Sequence, residues 1–381
     1  MLGDEIGINI TRYYGVVTCM QKNTPHLSER NLHMLYAIGQ YKFLTSYKIW
    51  QEFYPTSTYE NATQRLTTLH KYGFLSREFA FPKAVKNPGQ RPTAIYFFTE
   101  KNRQALRAHL TTQGKADQYE DFTALETIDK DSTDSFSNSH LVHECNNADF
   151  FIALDKAVAK NPAWELLMWQ ITSPRSADIP EKDIKGIKVR DKRARNADGS
   201  PKEILTDRHF NPDGLAILRE PSGEITLNVL ETDNNTNNPS DMQSKFEAFI
   251  AYGRQERFAK LIEVYARKYH LNIADPDDIL IRYLFVASNL SNDHKRRNQL
   301  FWLSLPYNRQ KQLLFTSLTD CTAEKILTGN IWMRGHEYRN NAHAHMKRII
   351  HPDTAPTVKL LKQHEILNNP EYMPLVSLGA D

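Results

Sequence analysis

Hydrophobic positions follow two regimes along the chain. From residue 27 to 110 they recur at helical spacing in short blocks and then switch to strand spacing. Ser28 precedes Glu29 and a stripe of Leu32, Leu35 and Ile38, which predicts a capped helix. Phe43-Leu44-Thr45 interrupts the pattern. Thr45 or Ser46 then opens a second helix through Ile49, Trp50 and Phe53, stopped by Pro55. Ser57 or Thr58 opens a third, with Ala62, Leu66 and Leu69 on one face and Gly73 at its end. Two runs, Phe74 to Phe79 and Ile95 to Thr99, read as strands. Between them Pro82 to Pro92 holds Lys83, Lys86 and Arg91. Three short helices and two strands around a basic loop predict a winged helix-turn-helix. Its third helix would enter a DNA major groove and its loop would lie near phosphates. Tyr59, Asn61, Thr63, Gln64, Arg65 and Thr68 offer polar tips for base and phosphate contact. The same scaffold can serve protein contact instead.

Beyond residue 139 the elements lengthen. His140-Leu141-Val142-His143-Glu144 leads through Phe150, Phe151, Ile152, Leu154 and Ala157, a helix that carries Glu144. Trp164 to Ile171 reads as a buried strand. Residues 178–208 form a loop or excursion with Lys188, Arg190, Lys192, Arg193 and Arg195, which suits either a phosphate track or a solvated charged face. Two apolar runs, Leu215 to Leu218 and Ile225 to Leu230, flank a Pro221-Ser222-Gly223 turn and predict a hairpin. One long helix follows, from Lys245 through Phe246, Phe249, Ile250 and Phe258 to Tyr265. Ile279 to Ser288 is a buried strand. His294 to Leu305 reads as a helix with Lys295, Arg296 and Arg297 exposed, and Leu313 to Thr316 as a short strand. The expected organisation is an arm over 1–26, a winged helix over 27–110, a linker over 111–138, a second domain over 139–335 and a tail over 336–381.

Composition changes this picture in three places. The net charge of the 381 residues is only +3. Residues 1–110 nevertheless hold 14 Lys and Arg against 7 Asp and Glu, and residues 111–150 hold 2 against 9. The first stretch therefore calls for an anionic partner, and the second reads as a solvated acidic linker. Cys19, Cys145 and Cys321 are odd in number and far apart, which argues against a disulfide framework or zinc site and fits a reducing cytoplasm. The first residues lack the basic and apolar blocks of a signal peptide, and no apolar run approaches the ~18 residues of a membrane span, so no membrane insertion is expected.

The candidate chemistry sits on the hairpin. Asp213 opens its first strand, and Glu231 and Asp233 close its second, so the three carboxylates would converge on one side. Converging carboxylates repel one another unless a hard cation with oxygen ligands intervenes. Acids also simply mark strand ends, and His140 with His143 reads either as a metal pair or as a polar helix start.

The order helix, strand, strand Asp, strand Glu-x-Asp, helix, strand is that of a restriction-endonuclease-like nuclease. The winged-helix segments, HLVHE, Pro212-Asp213-Gly214, Leu230 to Asn234, the Lys245 to Tyr252 helix, LFVASN with Arg296-Arg297, and Gly329 to Trp332 together resemble replication-relaxation proteins, including MobC-type relaxases. The resemblance implies an α+β chain, with a winged helix followed by an α/β relaxed PD-ExK-type domain built on a mixed sheet. It implies a relaxase that nicks one DNA strand at the transfer origin of a conjugative or mobilizable element. Asp213, Glu231 and Asp233 would hold Mg²⁺ or Mn²⁺, and a relaxosome accessory protein and a coupling ATPase would be partners. Asp233 stands where such nucleases carry lysine, and Lys245 could supply that charge. His209 would orient water or phosphate, or serve the fold. The nucleophile would be water or a tyrosine, with Tyr13, Tyr14 and Tyr252 available. Two competing readings are a non-catalytic DNA-binding relaxosome factor and an ordinary nuclease of defence or repair.

Overall fold

The structure, a computed structural model, describes residues 26–80, 92–115, 117, 120–123, 125, 127–128, 136–171, 187–190, 197–198, 200, 205–208, 212–234, 237–253, 256–268, 270–273, 279–288, 293–304, 313–334 and 372–373. The chain divides into two compact units, Met1–Cys145 and Asn146–Asp381. Lys83, Lys86, Arg91, Lys192, Arg193, Arg195, His209, Tyr13 and Tyr14 lie outside the described residues. For Lys188 and Arg190 only the backbone is described.

In the first unit the expected punctuation appears. Ser28 caps α1 (Glu29–Tyr41), accepting the Asn31 N–H at 3.4 Å. Thr45 caps α2 (Ser46–Phe53) through the Lys48 N–H at 3.1 Å, and Thr58 caps α3 (Tyr59–Lys71) through the Asn61 N–H at 3.3 Å. The break between the first two helices is a strand, β1 (Phe43–Thr45). It joins β2 (Ser76–Ala80) and β3 (Thr93–Phe97) in an antiparallel sheet of order β1-β3-β2. Helix, strand, helix, helix and a two-stranded wing make this unit a winged helix. A fourth helix, α4 (Glu100–Thr112), follows with a Thr99–Asn102 capping box. The Asn102 side chain also donates to the Gly73 carbonyl at 2.8 Å, tying α4 to the end of α3.

The acidic stretch after α4 does not stay wholly solvated. Phe122, on the single turn α5 (Glu120–Thr123), and Leu125 are buried, and Phe122 meets Tyr36 and Phe98. Two apolar side chains fasten this segment, in which Asp117 and Glu120 are exposed.

The second unit is built on a seven-stranded mixed sheet. After α6 (Asn138–Lys160), the strands are β4 (Glu165–Ile171), β7 (Gly214–Arg219), β8 (Ile225–Asp233), β9 (Leu280–Ala287), β10 (Leu313–Ser317), β11 (Trp332–Arg334) and β12 (Tyr372–Met373). Their spatial order is β12-β11-β10-β9-β8-β7-β4. β4, β7 and β8 form an antiparallel meander, and β8, β9 and β10 run parallel. Parallel neighbours need a crossover. Here it is α7 (Pro239–Tyr252) and α8 (Glu256–Lys268) between β8 and β9, and α9 (Asp293–Ser304) between β9 and β10. The excursion expected over 178–208 contains a separate pair, β5 (Ile187–Arg190) and β6 (Leu205–Arg208), which lies against α7.

Strand periodicity assigns the two sheet faces. Leu227, Val229, Tyr283, Phe285 and Phe315 pack under α7 and α9, with Phe246 on Phe285 at 4.7 Å and Phe301 on Phe315 at 6.0 Å between ring centroids. On the other face α6 stacks Phe151 on Trp169 at 5.1 Å. The sheet is thus sandwiched between helices. Each fully buried aromatic or aliphatic side chain in it contributes about 1.5–3 kcal/mol by leaving water.

Three expectations change. The single long helix after the hairpin is two helices, α7 and α8, separated at Gly253. There the chain presses so close to β9 that a Cβ would lie 2.3 Å from the Tyr283 hydroxyl. Trp164 to Ile171 is an edge strand among the described strands, with only Met168 and Ile171 of Glu165–Ile171 buried, because one flank has no neighbour. Arg296 and Arg297 are buried, not exposed; only Lys295 of that trio faces out, since each guanidinium meets a carboxylate inside the fold.

Gly214 sits where the hairpin passes under α6. An added Cβ would come within 2.4 Å of Phe151 Cε2 and 3.1 Å of the Gln170 carbonyl oxygen. A rigid ring and a backbone atom cannot both yield. Gly214→Ala is therefore expected to destabilise the chain by about 1–3 kcal/mol in chemical denaturation, the range for overpacking. An unchanged midpoint would rule out so tight a crossing.

Candidate functional site

The β7–β8 register brings the hairpin acids together. Gly214 pairs with Leu230, and the Asp213 N–H donates to the Leu230 carbonyl at 2.9 Å, so Asp213 stands across from Glu231. Glu231 and Asp233 are two apart on β8 and share the face covered by α7. Both are essentially fully buried, at 1% and 0% exposure, whereas Asp213 is half-buried. Two buried carboxylates beside a third are tolerable only if matched by cations or donors.

The fold supplies these from three directions. Asp213 Oδ2 accepts the Thr232 N–H at 2.7 Å, fixing its carboxylate against β8. Lys245, on the second turn of α7, reaches back to Glu231 Oε1 and keeps about a third of its side chain exposed. Arg296, on the first turn of α9, binds Asp233 through Nε and sends Nη2 to the Asn237 carbonyl at 2.9 Å. The position of Lys245 follows from local sequence. Asn238 caps α7, accepting the Asp241 N–H at 3.0 Å, and Pro239 starts the helix. By gripping both Asp233 and Asn237, Arg296 fastens the end of β8 to the entry of α7.

Burial by itself would lower the Lys245 pKa. Attraction by Glu231, then by Asp213 and Asp233, outweighs it and leaves the ammonium above its ordinary value. The field of all three acids therefore converges on the place a cation occupies. Among the described residues no group of three or more His, Cys, Asp or Glu side chains is arranged to hold a metal ion. Of the three acids, Glu231 pairs with Lys245, Asp233 with Arg296, and Asp213, the most accessible, accepts a backbone N–H.

Other expected residues have neighbours of their own. Glu144 belongs to the first unit, where His140 Nδ1 lies 3.9 Å from its Oε1. His140 stacks on Phe136 and packs against Phe43. Burial, and then the neighbouring His143, hold its pKa below the usual imidazole range. Tyr252 lies in the α7 core with Phe258, 1% exposed, so its hydroxyl is not presented to a nucleic acid.

The same sheet edge carries polar residues that the sequence did not single out. Asn146 on α6 donates to Asn234 Oδ1 at 2.8 Å and Ser288 Oγ at 2.9 Å, beyond the ends of β8 and β9. At the end of β10, Ser317 Oγ lies 3.2 Å from His294 Nδ1 and 2.5 Å from Asp320 Oδ2, which Arg297 also approaches at 3.4 Å. Ser288 follows an apolar strand run, and that abrupt change from apolar to polar is the signal that could have found it.

On the winged helix, Tyr59, Asn61 and Gln64 are exposed, as is Thr67, which the sequence reading passed over. Thr63 and Thr68 turn their hydroxyls to the Tyr59 and Gln64 carbonyls at 2.8 and 2.9 Å. Arg65 is engaged by the His26 carbonyl at 2.7 Å, which ties α3 to the chain entering α1.

The sequence model described as Replication-relaxation matches residues 35–264, more than half the chain, and the chain belongs to that family. The match begins within the winged helix and runs through the hairpin acids, Lys245 and α8. The chain is also similar to a solved protein with a GntR superfamily winged-helix-turn-helix domain from Halomicrobium mukohataei. Identity is 17%, coverage is 37% of this chain and 98% of that chain, and the TM-score is 0.21. No curated protein matches the chain. No helix among the described residues is long and apolar enough to cross a membrane.

Removing one partner of a buried ion pair leaves an uncompensated charge. Arg296→Ala is expected to cost about 3–5 kcal/mol in urea denaturation. Adding Asp233→Asn to it should recover a large part of that loss, and no recovery would place the cost elsewhere. Lys245 gives a second measurement. Its folded pKa is raised, so its stabilisation is complete below the unfolded lysine value of about 10.4 and is lost as pH rises through the folded value. Wild type should lose stability more steeply than Lys245→Gln above that pH. Parallel curves would show that Lys245 titrates as if in water.

Proposed function

We propose that this chain is a DNA relaxase. In this reading the winged helix binds the transfer origin of a conjugative or mobilizable element, and the second unit, a restriction-endonuclease-like domain, nicks one strand there. The observation that carries the reading is Asp213 opposite Glu231 at the hairpin end, with Lys245 drawn onto the pair. It is supported by the order of elements around that pair: helix, antiparallel three-strand meander, crossover helix and parallel strand. It is supported also by membership of the replication-relaxation family.

The donor set suits a hard divalent cation, because Asp213 and Glu231 are carboxylates whose field already favours positive charge. Asp213 and Glu231 would hold Mg²⁺ or Mn²⁺, which when bound supplies polarisation of the scissile phosphate and activation of the attacking oxygen. Asp233, committed to Arg296, holds the β8 end in place instead of donating to a metal. Lys245 offsets negative charge building on the phosphate, a role open to it because its side chain is about a third exposed and comes from a helix, not from β8 itself. Thr232 keeps the Asp213 carboxylate aimed through its N–H. With Tyr252 in the core, water is the attacking group among the described candidates. In this proposal an accessory DNA-binding protein and a coupling ATPase are the partners, and the cytoplasm is the setting.

The presence of a protein cation on each of Glu231 and Asp233 favours one second reading: a DNA-binding relaxosome or regulatory protein whose nuclease fold no longer cuts. Supercoiled plasmid carrying the cognate origin separates the two. With Mg²⁺ or Mn²⁺ the wild-type protein should yield open circles. Asp213→Ala and Glu231→Ala should lower that yield by two orders of magnitude or more, as loss of an essential electrostatic group does. Origin binding without nicking supports the second reading. Nicking that survives both substitutions removes the site.

A further inference from the structure

Three aromatic side chains meet where α2 faces the start of α3. Tyr47, Trp50 and Tyr59 have ring centroids 5.4, 5.8 and 6.2 Å apart. Tyr47 is 53% exposed and Tyr59 37%, two of the four large apolar side chains exposed among the described residues. Their hydrogen-bonding groups are in part already used. The Tyr59 hydroxyl lies 2.7 Å from Ser46 Oγ, and Trp50 Nε1 donates to the Ser57 carbonyl at 2.8 Å. These bonds hold two rings in place, and what the cluster offers outward is ring surface.

We infer that this cluster is a stacking platform for unpaired DNA bases beside the duplex-reading helix. The inference rests on the proposed DNA-binding role of the winged helix. Paired bases present only their edges in the grooves, so a π face becomes available where the strands are separated or end. Aromatic side chains stack on that face with little regard to sequence. Phosphate contact by Trp50 or Tyr59 would need a donor, and the Tyr59 hydroxyl and Trp50 indole N–H are already placed against protein oxygens. The winged-helix stretch as a whole suits a polyanion, since residues 1–110 hold 14 Lys and Arg against 7 Asp and Glu. Tyr59 is the first residue of α3, the helix that also carries the exposed Asn61 and Gln64. Duplex contact and single-strand capture would thus belong to the same helix.

The test uses the full chain and two labelled DNAs of one sequence, a perfect duplex and the same duplex with a short central bubble, compared by fluorescence anisotropy at fixed low salt. Wild type should bind the bubble more tightly. Tyr47→Ala should reduce that preference roughly tenfold, within the range of one lost base stack, while leaving duplex affinity unchanged. Tyr59→Phe, which keeps the ring, should retain the preference. Equal binding of both DNAs by wild type overturns the platform while leaving duplex binding intact. So does an equal loss on both DNAs in Tyr47→Ala, which would mark a backbone contact. If Tyr47→Ala binds both DNAs as wild type does but loses self-association in sedimentation, the patch is a protein contact and the inference falls. Failure of wild type to bind either DNA overturns the DNA-binding reading itself. The Asp213→Ala and Glu231→Ala variants should keep the full bubble preference, which separates this surface from the acid cluster.

Discussion

The buried end of β8 sets the terms for the second unit. A strand that finishes Glu-Thr-Asp inside a helix-covered sheet places two carboxylates on one face where water cannot solvate them. Asp213, across the hairpin, adds a third. Charges so placed persist only beside opposite charge, and the fold brings one cation from each flanking crossover: Lys245 from α7 and Arg296 from α9. The crossover helices are thus tied to the sheet by electrostatics at the same end where the parallel strands stop. Deeper in the sheet the same helices are held by aromatic packing. The apolar contacts supply most of the stability, and the ion pairs fix which turn of each helix meets which residue of β8.

That division bears on chemistry. The two cations are not equivalent. Arg296 is buried with its carboxylate and also holds the Asn237 carbonyl, so it is part of the framework. Lys245 is partly exposed, on a flexible stem, and senses all three acids. Under the proposed relaxase function, Lys245 gives up Glu231 to an incoming cation and turns to a phosphate, which Arg296 cannot do without leaving Asp233 unpaired. In that proposal Asp233 is withdrawn from the reactive group and the replacement charge arrives from the next helix.

Much of the winged helix was legible along the chain. Ser28, Thr45 and Thr58 cap their helices because capping is a local exchange between a side-chain oxygen and the N–H three residues on. The apolar spacing of Leu66 and Leu69 sufficed to place the inner face of α3. The contact residues were less legible. Arg65 looked like a phosphate ligand by type and position, yet its guanidinium meets a backbone carbonyl thirty-nine residues earlier in the chain. Nothing within one turn of helix encodes that. The Tyr47–Trp50–Tyr59 cluster was equally hidden, since its members come from two helices that must first pack.

For the second unit, the sequence by itself determined the helix before β4, the hairpin with its turn, the strands β9 and β10, and the placement of Asp213 across from Glu231. Each depends on a helical or strand period, a tight turn or a short register, and these are properties of neighbouring residues. It could not determine that Arg296 and Arg297 would be inside, that the run after the hairpin would break at Gly253, or that Asp233 would be neutralised. Charged residues near a helix start are ordinarily solvated. Here they are buried because a carboxylate sixty-three residues away, and another twenty-three away, are brought against them by the parallel pairing of β8, β9 and β10. Only the tertiary structure decided that Asp233 is paired inside the framework while Asp213 stays the most accessible of the three acids, because pairing of buried charge is settled by distances that no local pattern contains.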